Sequence, residues 1–168
     1  MKMKAVWGGI LTAAALVLCS TQAHAQAVDT KTVTVSATVN AKAKLTLSSN
    51  AASFADADPD VTPVLSAAGI TVDVKTRTAS AGGVTLTVLA GGDLTNAASD
   101  TIAINQLSWT VGGTAGFTAG TMSATVAQSL GTFGSGSLSD TQTYKLVNSW
   151  SYKTGSYTAT ITYTLTAP

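Results

Sequence analysis

Apolar and polar residues alternate with period two over most of this chain. From Val33 the odd positions read Val33, Val35, Ala37, Val39, Ala41, Ala43, Leu45 and Leu47. The even positions between them read Thr34, Ser36, Thr38, Asn40, Lys42, Lys44, Thr46 and Ser48. One apolar and one polar face, held this long, is the mark of a half-buried β-strand. A straight strand of that length would reach ~50 Å, beyond the core of a small domain. A bend or a change of sheet near Asn40 is therefore expected.

The same parity recurs downstream. Ile70, Val72 and Val74 share a face, as do Val84, Leu86 and Val88, then Leu107, Trp109 and Val111. Met122, Ala124 and Val126 repeat it, and Tyr144, Leu146, Trp150 and Tyr152 share one parity. Tyr157, Ala159, Ile161, Tyr163 and Leu165 face in, with Thr158, Thr160, Thr162, Thr164 and Thr166 facing out. Turn signals separate the runs: Asp58-Pro59-Asp60, Ala81-Gly82-Gly83, Gly91-Gly92-Asp93, Asn96 to Asp100, Gly112-Gly113, Gly131 to Gly136 and Thr154-Gly155. The last predicts a hairpin joining Trp150-Ser151-Tyr152 to Tyr157. No convincing amphipathic helix stands between them. The pattern predicts an all-β protein, an antiparallel Ig-like β-sandwich of about seven or eight strands. An up-and-down barrel is the alternative.

The N-terminus reads differently. Lys2 and Lys4 precede an apolar run from Ala5 to Leu18, and Ala23-His24-Ala25 has the form of a cleavage site. Residues 1–25 are expected to be a secretory signal peptide, leaving 26–168 as a single domain. Cys19 after the apolar run offers a lipoprotein reading, but Leu18 stands where a lipobox has Gly or Ala. No later stretch is long and apolar enough to span a membrane as a helix.

Processing empties the chemical inventory. Residues 26–168 hold no Cys, no His and no Glu; their charges are eight Asp, six Lys and Arg77, a net −1. There is no basic surplus to attract nucleic acid. Catalysis by Ser-His-Asp or Cys-His and zinc sites of the N/S type have no residues to use. A Ser-Lys nucleophile stays formally open, and no pair of Asp stands out as glycosidase-like. No enzyme and no cofactor are expected.

Four features could carry a function. Asp56, Asp58 and Asp60 alternate in one loop and could ligate calcium, or could be an Asx-capped turn with Pro59 fixing the bend. The C-terminal threonine ladder could order water on a flat face, but sheets twist and exposed strands favour Thr anyway. The aromatics cluster late. Trp109, Tyr152 and Tyr157 are candidate glycan contacts, with core packing as the plainer role. Val33, Val35 and Val39 belong to a segment that could complete a neighbour's sheet by strand addition, or pair within its own domain. Lys42 and Lys44 share a polar face, as edge-strand protection does.

The closing residues Tyr157-Thr-Ala-Thr-Ile-Thr-Tyr-Thr-Leu-Thr-Ala-Pro168 resemble the end of WxL-type domains, secreted bacterial β-domains that attach to the cell wall. The paired elements are Trp109-Thr-Val111 and Tyr163-Thr-Leu165, each differing from Trp-x-Leu in one position. The whole of residues 26–168 is also similar in style to fimbrial and spore-coat-like subunits, though without their paired Cys. These resemblances imply an exported surface protein, found in periplasm, on the cell surface or outside it. Its partners would be copies of itself, another surface protein or a cell-wall glycan. The leading expectation is a structural or adhesive subunit that associates through strand edges. The second is a wall- or glycan-binding module, and the third a calcium-stabilised one.

Overall fold

The computed structural model describes residues 29–79 and 82–168. The expected signal peptide lies outside these residues. The chain divides into two units, 1–37 and 38–168. In the first, residues 29–37 form no strand and every one is exposed. All regular structure described below belongs to the second.

β-Branched and aromatic residues at alternate positions suit a pleated surface with one buried face, and the second unit is built of such strands. They are β1 (Lys42–Leu47), β2 (Val64–Ser66), β3 (Ile70–Arg77), β4 (Val84–Ala90), β5 (Leu94–Thr95), β6 (Thr101–Ile102), β7 (Leu107–Val111), β8 (Gly120–Thr121), β9 (Gln128–Phe133), β10 (Gly136–Val147) and β11 (Ile161–Thr166). Among the described residues there is no α-helix, only a single 3-10 turn at Ile104–Gln106. All pairings between strands are antiparallel.

The larger sheet runs β1-β3-β10-β7-β8, with β2 continuing the β3 side of β10. The smaller runs β11-β4-β9, and β5-β6 form a separate short ladder. Val72 and Val74 from the larger sheet and Val84, Leu86 and Val88 from the smaller are at most 1% exposed and share one core with Trp109, Met122 and Leu130. Two antiparallel sheets joined by one apolar core are the arrangement of a β-sandwich. Each large side chain so buried contributes ~1.5–3 kcal/mol.

The two sides of the sandwich differ. On one, Phe117 bridges to Gly131, Thr118 N donates to Leu130 O, and Trp109 Nε1 donates to Thr118 O at 2.8 Å, so β7, β8 and β9 are tied across the gap. On the other side β1 ends the larger sheet and β11 ends the smaller; the two edge strands lie close to one another without a ladder between them.

Several expectations fail for physical reasons. The long first strand begins only at Lys42; residues 33–41 alternate but form no strand. The strand expected at Met122–Val126 is instead β9, six residues later. There Leu86 pairs with Gly131 and Thr87 with Ser129, so Leu130 is the extra residue of a bulge. Gly131 lies inside that strand rather than in a turn. The hairpin expected at Trp150–Tyr157 is absent, because β10 ends at Val147 and β11 begins at Ile161 in the other sheet. The intervening residues are an irregular connection between sheets.

Candidate functional site

At the Leu47–Ile161 end of the sandwich two long connections, 49–59 and 148–159, roof a cleft of about 1180 Å³. Its floor is apolar: Ile70, Leu107, Leu146 and Ile161 reach it from the two sheets, and Leu94 and Ile102 from the short ladder. Asn148 fastens the two roofing segments together, its Nδ2 donating to Ala57 O at 2.9 Å and to Thr62 O at 3.0 Å.

A short polar chain runs beside this floor. Tyr163 OH donates to Gln142 Oε1 at 2.6 Å, so the 2.7 Å contact with Tyr144 OH has Tyr144 as donor. Burial pushes the hydroxyl pKa of Tyr144 far up, with Tyr163 adding to the effect, and burial raises that of Tyr163 as well. Gln142 is 1% exposed, and its Nε2 has no hydrogen-bond partner among the described residues. Deeper in the same strand Asp140 accepts from the backbone N–H groups of Gly113, Thr114 and Thr141, which pins the glycine turn after β7. Asp140 is thereby a structural anchor, and Gly113 takes φ +104°, where glycine is unstrained.

The rim is aromatic. Trp150 is 70% exposed, and its Nε1 donates to Asp60 Oδ1 at 3.1 Å. Tyr152 and Tyr157 are half-buried beside it, the Tyr157 hydroxyl donating to Lys153 O at 2.9 Å. Burial pushes the Tyr152 hydroxyl pKa up. Lys153 pairs with Asp100 at 2.8 Å; hydrogen bonds from Lys153 and then Asn96 hold the Asp100 carboxyl below its ordinary range, and Lys153 is raised in return.

The candidate residues from sequence divide accordingly. Trp109 is 2% exposed, its ring in the core and its N–H spent on Thr118, so no glycan can reach it. Tyr152 and Tyr157 do meet at the cleft. The exposed member of the group is Trp150, which shares the parity of Tyr144 and Leu146 but lies beyond the end of β10 at Val147. Asp56, Asp58 and Asp60 share the loop but do not converge: among the described residues no group of three could hold a metal ion. Asp58 Oδ1 instead accepts from Asp60 N at 2.9 Å, and Asp58 O from the amides of Val61 and Thr62, the Asx-capped turn. Val33, Val35 and Val39 are 85%, 89% and 65% exposed.

The free edge of β11 completes the site. Thr160 O accepts from Gly91 N at 2.8 Å, and Ile161 stands opposite Ala90. In an antiparallel ladder the groups of alternate residues face the same partner. Thr160, Thr162, Thr164 and Thr166 therefore bond to β4, and Ile161, Tyr163 and Leu165 turn their N–H and C=O groups to the side of β1, which lies close by but forms no ladder with β11. Their side chains face the core yet are only half-buried, as are Leu45 and Leu47 of β1.

Comparison with family models, with curated proteins and with solved structures found no match. No helix among the described residues is long and apolar enough to cross a membrane.

Proposed function

We propose that this chain is an exported, non-enzymatic bacterial surface protein of Ig-like sandwich type, a structural or adhesive subunit that associates through strand edges. The observation that carries the reading is a strand pattern without a strand: residues 33–39 alternate perfectly, form no strand, and bare Val33, Val35 and Val39. The β11 edge is the complement. Its three outward-turned backbone positions and half-buried apolar row have the two-residue spacing of Val35, Ala37 and Val39. A segment from a second copy laid there would bond to an unpaired edge and cover that row. The threonines of the donor would then face outward beside Thr162 and Thr164, as cross-strand Thr pairs do.

Multi-angle light scattering on the protein purified from the periplasm of an expressing bacterium, with negative-stain microscopy, tests this. Oligomers or filaments are expected, and deletion of residues 31–39 is expected to leave folded monomers that melt lower than the assembled full chain and at a temperature that no longer rises with protein concentration. A full chain that stays monomeric at high concentration overturns the reading.

The rim favours a second reading, a cell-wall glycan-binding module of WxL type. Trp150, held in place by Asp60, stands with Tyr152 and Tyr157 at the mouth of an apolar cleft, and such faces stack on sugars. Retention on isolated cell walls, lost in Trp150→Ala, is its test.

A further inference from the structure

Thirteen side chains between residues 38 and 168 are charged, and seven of them fall into two groups. Lys42 and Lys44 stand on the outer face of β1, with Arg77 and Lys75 of β3 directly opposite them. All four are exposed, and with Ser137 they line a shallow depression of about 380 Å³. Like charges placed opposite one another destabilise a sheet. The ion pairs among the described residues use Lys31 and Lys153 instead, so no ion pair among these residues offsets that cost. Arg77 Nε donates to the backbone of Asn40. Asp73, half-buried opposite Thr46, is the one carboxylate on these two strands.

The second group is Asp56, Asp58 and Asp60, all exposed and none in an ion pair among the described residues. It lies at the other end of the sandwich. β3 finishes at Arg77 where β10 begins, whereas the acidic loop is fastened to Asn148 just past the end of β10. Asp56 and Asp58 line the same cleft as Ile161, the first residue of β11.

We propose that the cationic face of one copy receives the acidic loop of the next, in a head-to-tail contact that fixes the direction of strand addition. This rests on the assembly reading above and deepens it. Val39 lies three residues before Lys42, at most ~10 Å of chain. A donor segment laid antiparallel on β11 places Val39 at the Ile161 end, and so carries its own Lys42 and Lys44 to the acidic loop. A parallel donor carries them to the opposite end, where no acidic cluster waits. Opposite charges at opposite ends make a heterologous contact, which repeats into an open chain.

Two isosteric variants of the full chain test it by sedimentation velocity. K44Q/K75Q keeps the acidic loop; D58N/D60N keeps the cationic face and, through the amide oxygens, both the turn and the Trp150 bond. Each alone is expected to associate about tenfold more weakly than wild type or worse, and to lose the salt dependence that separates about 50 mM from 500 mM NaCl. Mixed in equal amounts, they are expected to form pairs of wild-type affinity that do not extend, since each supplies the end the other lacks. Variants that associate like wild type overturn the proposal. If the deletion of residues 31–39 still abolishes assembly in that case, strand addition stands without the charge contact. Loss of retention on an immobilised polyanion, with association intact, assigns the cationic face to an anionic polymer and equally overturns it.

Discussion

Tyr163→Phe and Gln142→Leu should have very unequal consequences, although both remove a polar group from the same buried chain. Tyr163 OH satisfies two partners: it donates to Gln142 Oε1 at 2.6 Å and accepts from Tyr144 OH at 2.7 Å. Gln142 and Tyr144 are 1% and 2% exposed, so neither can turn to bulk water. Removing the hydroxyl orphans an acceptor and a donor, each costing ~1–3 kcal/mol. Tyr144 can recover part of this by swinging towards Gln142, which leaves a loss of ~2–4 kcal/mol. Gln142→Leu deletes a side chain whose Nε2 already lacks a partner. Tyr163 OH then loses one acceptor but keeps Tyr144, and an unmet donor leaves the core. Those terms nearly cancel, so the net change stays within ~1 kcal/mol. For a fold of this size 1 kcal/mol moves Tm by roughly 3–5 °C. Calorimetry should therefore find Tyr163→Phe about 6–20 °C below wild type and Gln142→Leu within about 5 °C of it. The reverse order refutes the assignment of Tyr163 as the hub of the network.

Two further outcomes follow from burial. In Gly120→Ala the new Cβ meets Trp109 Cζ2 at 2.5 Å, and the Thr118 hydrogen bond keeps the ring from retreating; a loss of ~1–3 kcal/mol is expected from the urea midpoint, and an unmoved midpoint refutes it. Alkaline pH should also destabilise the fold. The hydroxyls of Tyr144 and Tyr163 are raised above the unfolded value of ~10, so their contribution is full below pH ~10 and is lost as pH climbs towards the folded values. A Tm that stays flat between about pH 9 and 11 sinks that reasoning.

Where side chains alone decide the outcome, the strand pattern was readable. Ile70, Val72 and Val74, then Val84, Leu86 and Val88, face the core as their parity requires. The turn at Asn96–Asp100 forms, with Asn96 Oδ1 accepting from the amides of Ala98 and Asp100. β9 was illegible because a bulge at Leu130 puts two consecutive residues on the buried side and breaks the period. Of β10 only Tyr144 and Leu146 were readable; its first half was hidden because the inward row there includes Asp140 and Gln142, polar residues whose partners come from β7's turn and from β11. Trp150 shares the parity of Tyr144 and Leu146, but the expected hairpin that would have given that parity meaning does not form.

The cleft and the β11 edge depend on facts that no local pattern holds, namely which strand ends each sheet and which backbone groups are left facing outward. Residues 33–41 show the same limit from the other side. Alternation specifies that a segment has an apolar face; it does not specify whose sheet will cover it. In β3 and β4 the cover lies within the chain, and burial follows. In residues 33–39 the pattern is as regular, yet the valines stand bare. A sequence under no demand to bury them would have little reason to keep every second position apolar there, because one polar substitution would remove the aggregation hazard that a bare alternating segment poses. The regularity of the pattern thus supports the proposal that its partner is a strand edge of a second copy.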